Sequence, residues 1–204
     1  MARKTFFSFH YERDAWRAGQ VRNSNLLADE DEYGFVDSVE WEKIERQGVE
    51  AIKRWIKFQL EYTSVTVVLI GAETSQRPWV DYEIRESWRR GNGLVGVWIH
   101  NVKDQNQKTD TQGANPLDLI KFSDGKPLSS VCKKYDWVLD DGRNNLGKWI
   151  EEAFQSREKL GEDKIIDNSG KSGHADAPTV IKSSPAAGFV PRSPWCADYD
   201  IGPR

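Results

Sequence analysis

TSVTVVLIG (63–71), AETSQ (72–76), RPWVDYEIRESWRRG (77–91) and NGLVGVWIH (92–100) together decide the fold. Val65, Val67, Val68, Leu69 and Ile70 form a short continuous apolar run rich in β-branched residues, the pattern of a strand buried on both faces. Gly71 ends it, and a small polar loop follows. From Pro78 the period changes, with Val80, Ile84 and Trp88 recurring at i, i+4 and i+8 as one stripe of an α-helix. Pro78 suits the first turn, Ser75 is available as a cap, and Arg89, Arg90 and Gly91 make a suitable end. Leu94, Val95, Val97, Trp98 and Ile99 give a second buried strand. Strand, helix and strand make a βαβ unit, and the class is α/β.

One acidic residue of that helix stands apart. Glu83 follows Val80 by three and precedes Ile84 by one, so it flanks the buried stripe. It lies in the second turn, roughly 8 Å from the helix start at ~1.5 Å per residue. That start is at the carboxyl end of the preceding strand, where open parallel sheets bind ligands. The alternative reading is a surface carboxylate paired with Arg90 or a neighbouring loop. Asp81 and Glu86 lie elsewhere around the helix.

Upstream, Lys4–Phe9 reads as a first strand with His10 at its carboxyl end, followed by a helix from Asp14 to about Leu27. Gly34–Asp37 reads as a short second strand. Trp41–Tyr62 reads as one long helix with Ile44, Ile52, Trp55, Ile56 and Leu60 on one face and Gly48 allowing close approach. Glu42/Arg46 and Glu50/Arg54 are i,i+4 pairs on the other face. Downstream, 101–127 is a polar loop of a length that is often functional. Tyr135–Val138 reads as the last strand and Asn145 to about Leu160 as a closing helix. Residues 1–160 form one domain. Residues 161–204, rich in Pro, Gly and Ser, read as a flexible tail that buries too little apolar surface to offset its ordering entropy.

Composition narrows the function. A formal charge of −3 over 204 residues gives no global basic field, so nucleic acid is not a favoured partner. Cys132 and Cys196 lack metal-ligand spacing and read as free thiols of a reducing cytoplasm. The N-terminal apolar run is too short for a secretory signal, and no stretch approaches a membrane span. His10, His100 and His174 are scattered and make no metal site. Gly91-Asn-Gly-Leu-Val-Gly96 fits G-x-G-x-x-G, but it follows a helix and opens a strand, the reverse of a dinucleotide fingerprint. What remains is a set at the carboxyl ends of strands: Ser8, Phe9 and His10, then Asp37, then Glu83.

Phe-Phe-Ser-Phe-His (6–10), Val-Arg-Asn (21–23) and Phe-Val-Asp (35–37) before a long helix resemble TIR-like domains of bacterial anti-phage defence. So does Val65–Gly71 followed by Ser75, Arg77, Trp79, Val80, Tyr82, Glu83 and Ile84. With Tyr135-Asp-Trp-Val and Asp140-Asp-Gly, the resemblance covers about residues 3–154 and is strongest to the TIR-like sensors of Thoeris systems. It implies a flavodoxin-like three-layer sandwich with a central, mainly parallel five-stranded sheet. NAD-degrading TIR domains carry a glutamate four residues after a tryptophan in this helix, as Glu83 follows Trp79. The resemblance therefore implies a catalytic Glu83 and NAD+ as substrate rather than cofactor, with Ser8, Phe9, His10, Asp37, Trp41, Trp79 and Tyr82 as the substrate-binding set. It implies a cyclic ADP-ribose isomer made as a diffusible signal to a separate effector. It leaves room for a phage-derived trigger and a homo-oligomer. A non-catalytic TIR scaffold and a plain NAD hydrolase giving linear ADP-ribose are the alternatives.

Overall fold

β3 (Val65–Ile70) has all six residues buried, and β4 (Gly93–Trp98) pairs with it in parallel from Val65↔Gly93 to Ile70↔Trp98. The structure, a computed structural model, describes residues 3–24, 32–33, 43–44, 46–160 and 165. β1 (Thr5–Ser8) lies on the other side of β3, and β2 (Glu32–Tyr33) and β5 (Lys133–Asp136) complete a five-stranded parallel sheet of order β2-β1-β3-β4-β5. The expected strand over 34–37 falls outside the described residues. The observed last strand begins two residues earlier than Tyr135.

Alternation along the strands sends side chains to two helical layers. Phe7, Val65, Val67, Leu69, Val95 and Val97 pack under α1 (Tyr11–Arg22) and α4 (Gly142–Leu160), against Ala18, Val21, Leu146, Trp149 and Ile150. On the opposite face, Val68, Ile70 and Leu94 meet Val80, Ile84 and Trp88 of α3 (Pro78–Arg89). Phe6 meets Ile52, Ile56 and Leu60 of α2 (Val49–Glu61) on that same face. Burying side chains of this size contributes about 1.5–3 kcal/mol each, which is why the 3.6-residue stripe fixes how α3 lies.

Three local expectations change. Arg77, not Ser75, is the N-cap of α3. Ser75 lies inside a 3-10 turn over Thr74–Gln76, and Arg77 takes the extended conformation that a following proline imposes. α2 begins at Val49 rather than Trp41, because Gly48 at its N-cap holds φ at +90°. A Cβ on Gly48 would meet no atom of the described residues within 4 Å, so its positive φ is what calls for glycine there. α1 begins at Tyr11, with His10 as N-cap.

The long 101–127 connection is strapped down. Arg17, itself buried, donates from Nε to the Val102 carbonyl at 2.9 Å and from Nη2 to that of Lys108 at 3.2 Å. Trp98 Nε1 donates to the Gly113 carbonyl at 3.1 Å. Past α4 the chain meets the domain again at Ile165, which forms an antiparallel bridge with Phe122.

Candidate active site

Ser8 closes β1, and Glu83 sits in the second turn of α3, which crosses the sheet on the same side as Phe6. Ser8 Oγ donates to Glu83 Oε2 at 2.6 Å, and both side chains are buried. Among the described residues no cation pairs with Glu83. Burial, only partly offset by the Ser8 hydrogen bond, pushes the Glu83 carboxyl up to about 8. The protonated form is therefore favoured at neutral pH. Arg90, the partner considered from sequence, instead bonds Glu86 at 3.3 Å, and Asp81 pairs with Arg85 at 2.7 Å.

His10 follows at the same edge. It is 5% exposed, neither ring nitrogen has a hydrogen-bond partner among the described residues, and Glu12 Oε2 lies 3.7 Å from Nε2. Burial and then the Arg77 charge lower its pKa, against the nearby carboxylates of Glu12 and Glu73, which favours the neutral ring. Trp79 and Tyr82 meet edge-on, with centroids 6.1 Å apart, and pack against the α2-side cluster that contains Phe6. Ser8, Glu83, Trp79 and Tyr82 thus share one face of the sheet. Phe9 does not join them: it packs against the α1/α4 cluster and lies 6.1 Å from Tyr11. Phe9 thus lies with Phe7, on the face opposite Phe6 and Ser8, although it stands one residue past the end of β1. Asp37 and Trp41 lie outside the described residues.

Two features escaped the sequence reading. Asp14 is buried on α1, its carboxyl pushed up to about 6 by burial despite Arg17 Nη1 at 3.6 Å. Its place with Ala18 and Val21 at i, i+4 and i+7 was the available signal. The second is a cavity of about 250 Å³ at the carboxyl ends of β4 and β5, lined among others by Trp98, His100, Lys134, Tyr135 and Leu139. Ser8 and Glu83 are not among its walls. Cys132 is buried, and burial pushes its thiol up to about 12, which disfavours the thiolate form that a nucleophile needs. Among the described residues no group of three or more His, Cys, Asp or Glu could hold a metal ion, and no helix is long and apolar enough to cross a membrane.

The chain is similar to known proteins over this region. Residues 6–104 match the family described as Thoeris protein ThsB, TIR-like domain. A curated protein of Bacillus cereus (strain MSX-D12), named "Putative cyclic ADP-D-ribose synthase ThsB1", is 34% identical over 191 residues, covering 74% of this chain and 100% of the relative.

Proposed function

Because the chain belongs to the TIR-like family of the Thoeris protein ThsB, we propose that it consumes NAD+ and makes a cyclic ADP-ribose isomer as a signal to a separate effector. The observation that carries this reading is the buried Ser8–Glu83 pair at the carboxyl ends of β1 and β3, a carboxyl with a raised pKa and no cation beside it.

The bond between nicotinamide nitrogen and ribose carbon breaks with its electron pair leaving on nicotinamide, whose ring charge is thereby neutralised. Positive charge develops on the ribose as an oxocarbenium-like state. The cationic nicotinamide ring favours ionised Glu83 on arrival, and the carboxylate then stabilises the charge that moves to the ribose. Nicotinamide departs neutral, so no second acid carboxyl is required. Ser8 holds one carboxylate oxygen and leaves the other for the ribose. Trp79 and Tyr82 offer aromatic surface beside it, and His10 a neutral ring able to donate or accept.

The ribosyl cation is captured by water, giving linear ADP-ribose, or by a nucleophile of the same molecule, giving a ring. Holding the adenosine half close and excluding water favour the ring. Mass spectrometry of the product of triggered protein decides, since the cyclic product is lighter than ADP-ribose by one water. A cyclic product is expected. Linear ADP-ribose alone would replace the signalling reading with NAD depletion, and unconsumed NAD+ after triggering would leave a scaffold.

A further inference from the structure

On the NAD+ reading, we propose that Arg77 is the side chain that takes the diphosphate of the dinucleotide, fixing the distance from that group to Glu83. Arg77 caps α3 at the edge where β1 and β3 end. Its Nη2 donates to Glu73 Oε2 at 3.2 Å, while its Nε is buried with no hydrogen-bond partner. Glu73 is also held by Arg13 Nη1, at 2.7 Å. One carboxylate is therefore shared by two guanidinium groups, and Arg13 is further occupied by Asp110 through both Nε and Nη2. The two guanidinium groups and two carboxylates balance in charge, and Arg77 keeps a donor, Nε, that neither carboxylate accepts.

Its surroundings fit an anion. Arg77 lies within electrostatic reach of the buried His10, whose Nε2 faces Glu12 Oε2 at 3.7 Å and whose Nδ1 has no hydrogen-bond partner among the described residues. The positive end of the 12-residue α3 dipole opens at the same point. A buried donor without an acceptor destabilises the protein, and an anion bonded by the guanidinium fork relieves that. Glu83 lies six residues further along α3, roughly 9 Å along the axis at ~1.5 Å per residue. In NAD+ the nicotinamide ribose is joined to the diphosphate through a single methylene, which suits that reach. The sequence named His10 and Glu83 as candidates but saw in Arg77 only part of a motif.

The test is binding by the full chain of two ligands, ADP-ribose and nicotinamide riboside, the second lacking the diphosphate. Arg77→Gln is expected to weaken ADP-ribose binding by about 10- to 100-fold and to leave nicotinamide riboside unchanged. Arg77→Lys is expected to recover part of the loss, because it restores the charge but not the fork. Unchanged ADP-ribose binding in Arg77→Gln overturns the assignment. An equal loss for both ligands overturns it too, since that marks a general support of the helix start. Wild-type protein that binds no ADP-ribose also overturns it. NAD+ turnover, followed in parallel on triggered wild-type protein, judges the enzymatic reading separately: ADP-ribose binding lost with Arg77 but no turnover would sink the activity and keep the diphosphate site.

Discussion

Glu83 and Asp14 are two buried carboxyls near the carboxyl end of β3, on opposite sides of one sheet. Asp14, on α1, faces Arg17 at 3.6 Å and fits against Gly71, where a Cβ would collide with its carboxyl group. Gly113 presses on the Gly71 carbonyl in turn, so strand end, helix and long loop meet with no room for side chains. Its carboxyl rises to about 6. Glu83 has a hydroxyl and no cation, and rises to about 8. The difference lies in who answers the charge. For Asp14 the protein supplies the counter-charge and closes the space with backbone. For Glu83 the described residues supply no counter-charge, and burial favours its protonated form.

The sharpest break of this contrast is Glu83→Gln, which keeps shape and hydrogen bonding but cannot ionise. NAD+ turnover by triggered protein is expected to fall by roughly 10²-fold or more, with the melting temperature not lowered. Turnover at the wild-type rate would remove Glu83 from the chemistry.

On the Asp14 side the large effect is on stability. Gly71→Ala drives a methyl into the carboxyl of Asp14, and a loss of about 3 kcal/mol is expected from the denaturant midpoint. A loss below about 1 kcal/mol would show that the strand end and loop shift freely, and that the tight fit is not a constraint.

pH separates the two acids further. A carboxyl whose folded pKa lies above its unfolded value binds its proton more tightly when folded, so it lowers stability as pH rises through that interval. Glu83 does this between about 4.5 and 8, and Asp14 between about 3.8 and 6. Relative to wild type, Glu83→Gln should gain stability up to about pH 8, by a few kcal/mol at most at about 1.4 kcal/mol per unit. Asp14→Asn should stop gaining near pH 6. Denaturation across pH 4–9 reads both, and a Glu83→Gln gain that is flat across this range would refute the raised pKa.

The smallest effects are expected where the helix carries ordinary ion pairs. Asp81→Asn takes a half-exposed carboxylate from the buried Arg85, and Glu86→Gln takes one from the partly exposed Arg90. Stability should change by about 1 kcal/mol for the first and about 0.5 kcal/mol or less for the second, and turnover by no more than about 3-fold for either. A larger turnover loss in either would mean that Glu83 is not the distinctive carboxyl of this helix.

Much of this was written in local pattern. The Val65–Ile70 run and the Val80/Ile84/Trp88 stripe specify strand and helix because burial dominates both. Glu83 was visible as an acid flanking that stripe. The rest depends on geometry that pattern does not encode. Gly48 could be a close-approach or a left-handed glycine, and only the backbone angle decides. Phe9 lies just past a four-residue strand, where counting residues does not say which face a side chain takes. Asp14 looked like a helix-start acid because its neighbours Gly71 and Gly113 are distant in sequence. Arg77 gained its place from Pro78, which forced it out of the helix and into the cap.

The bond from Ser8 to Glu83 spans 75 residues, and this separation governs when the centre comes into being. During synthesis at about 5–20 residues per second, the hydroxyl precedes its carboxyl partner by roughly 4–15 s. β1 must then wait for β3 before Ser8 is carried to α3. A chain stalled or cut before α3 holds half of the pair and can have no activity through it. For the proposed consumption of NAD+, that ordering leaves unfinished copies inactive through this pair.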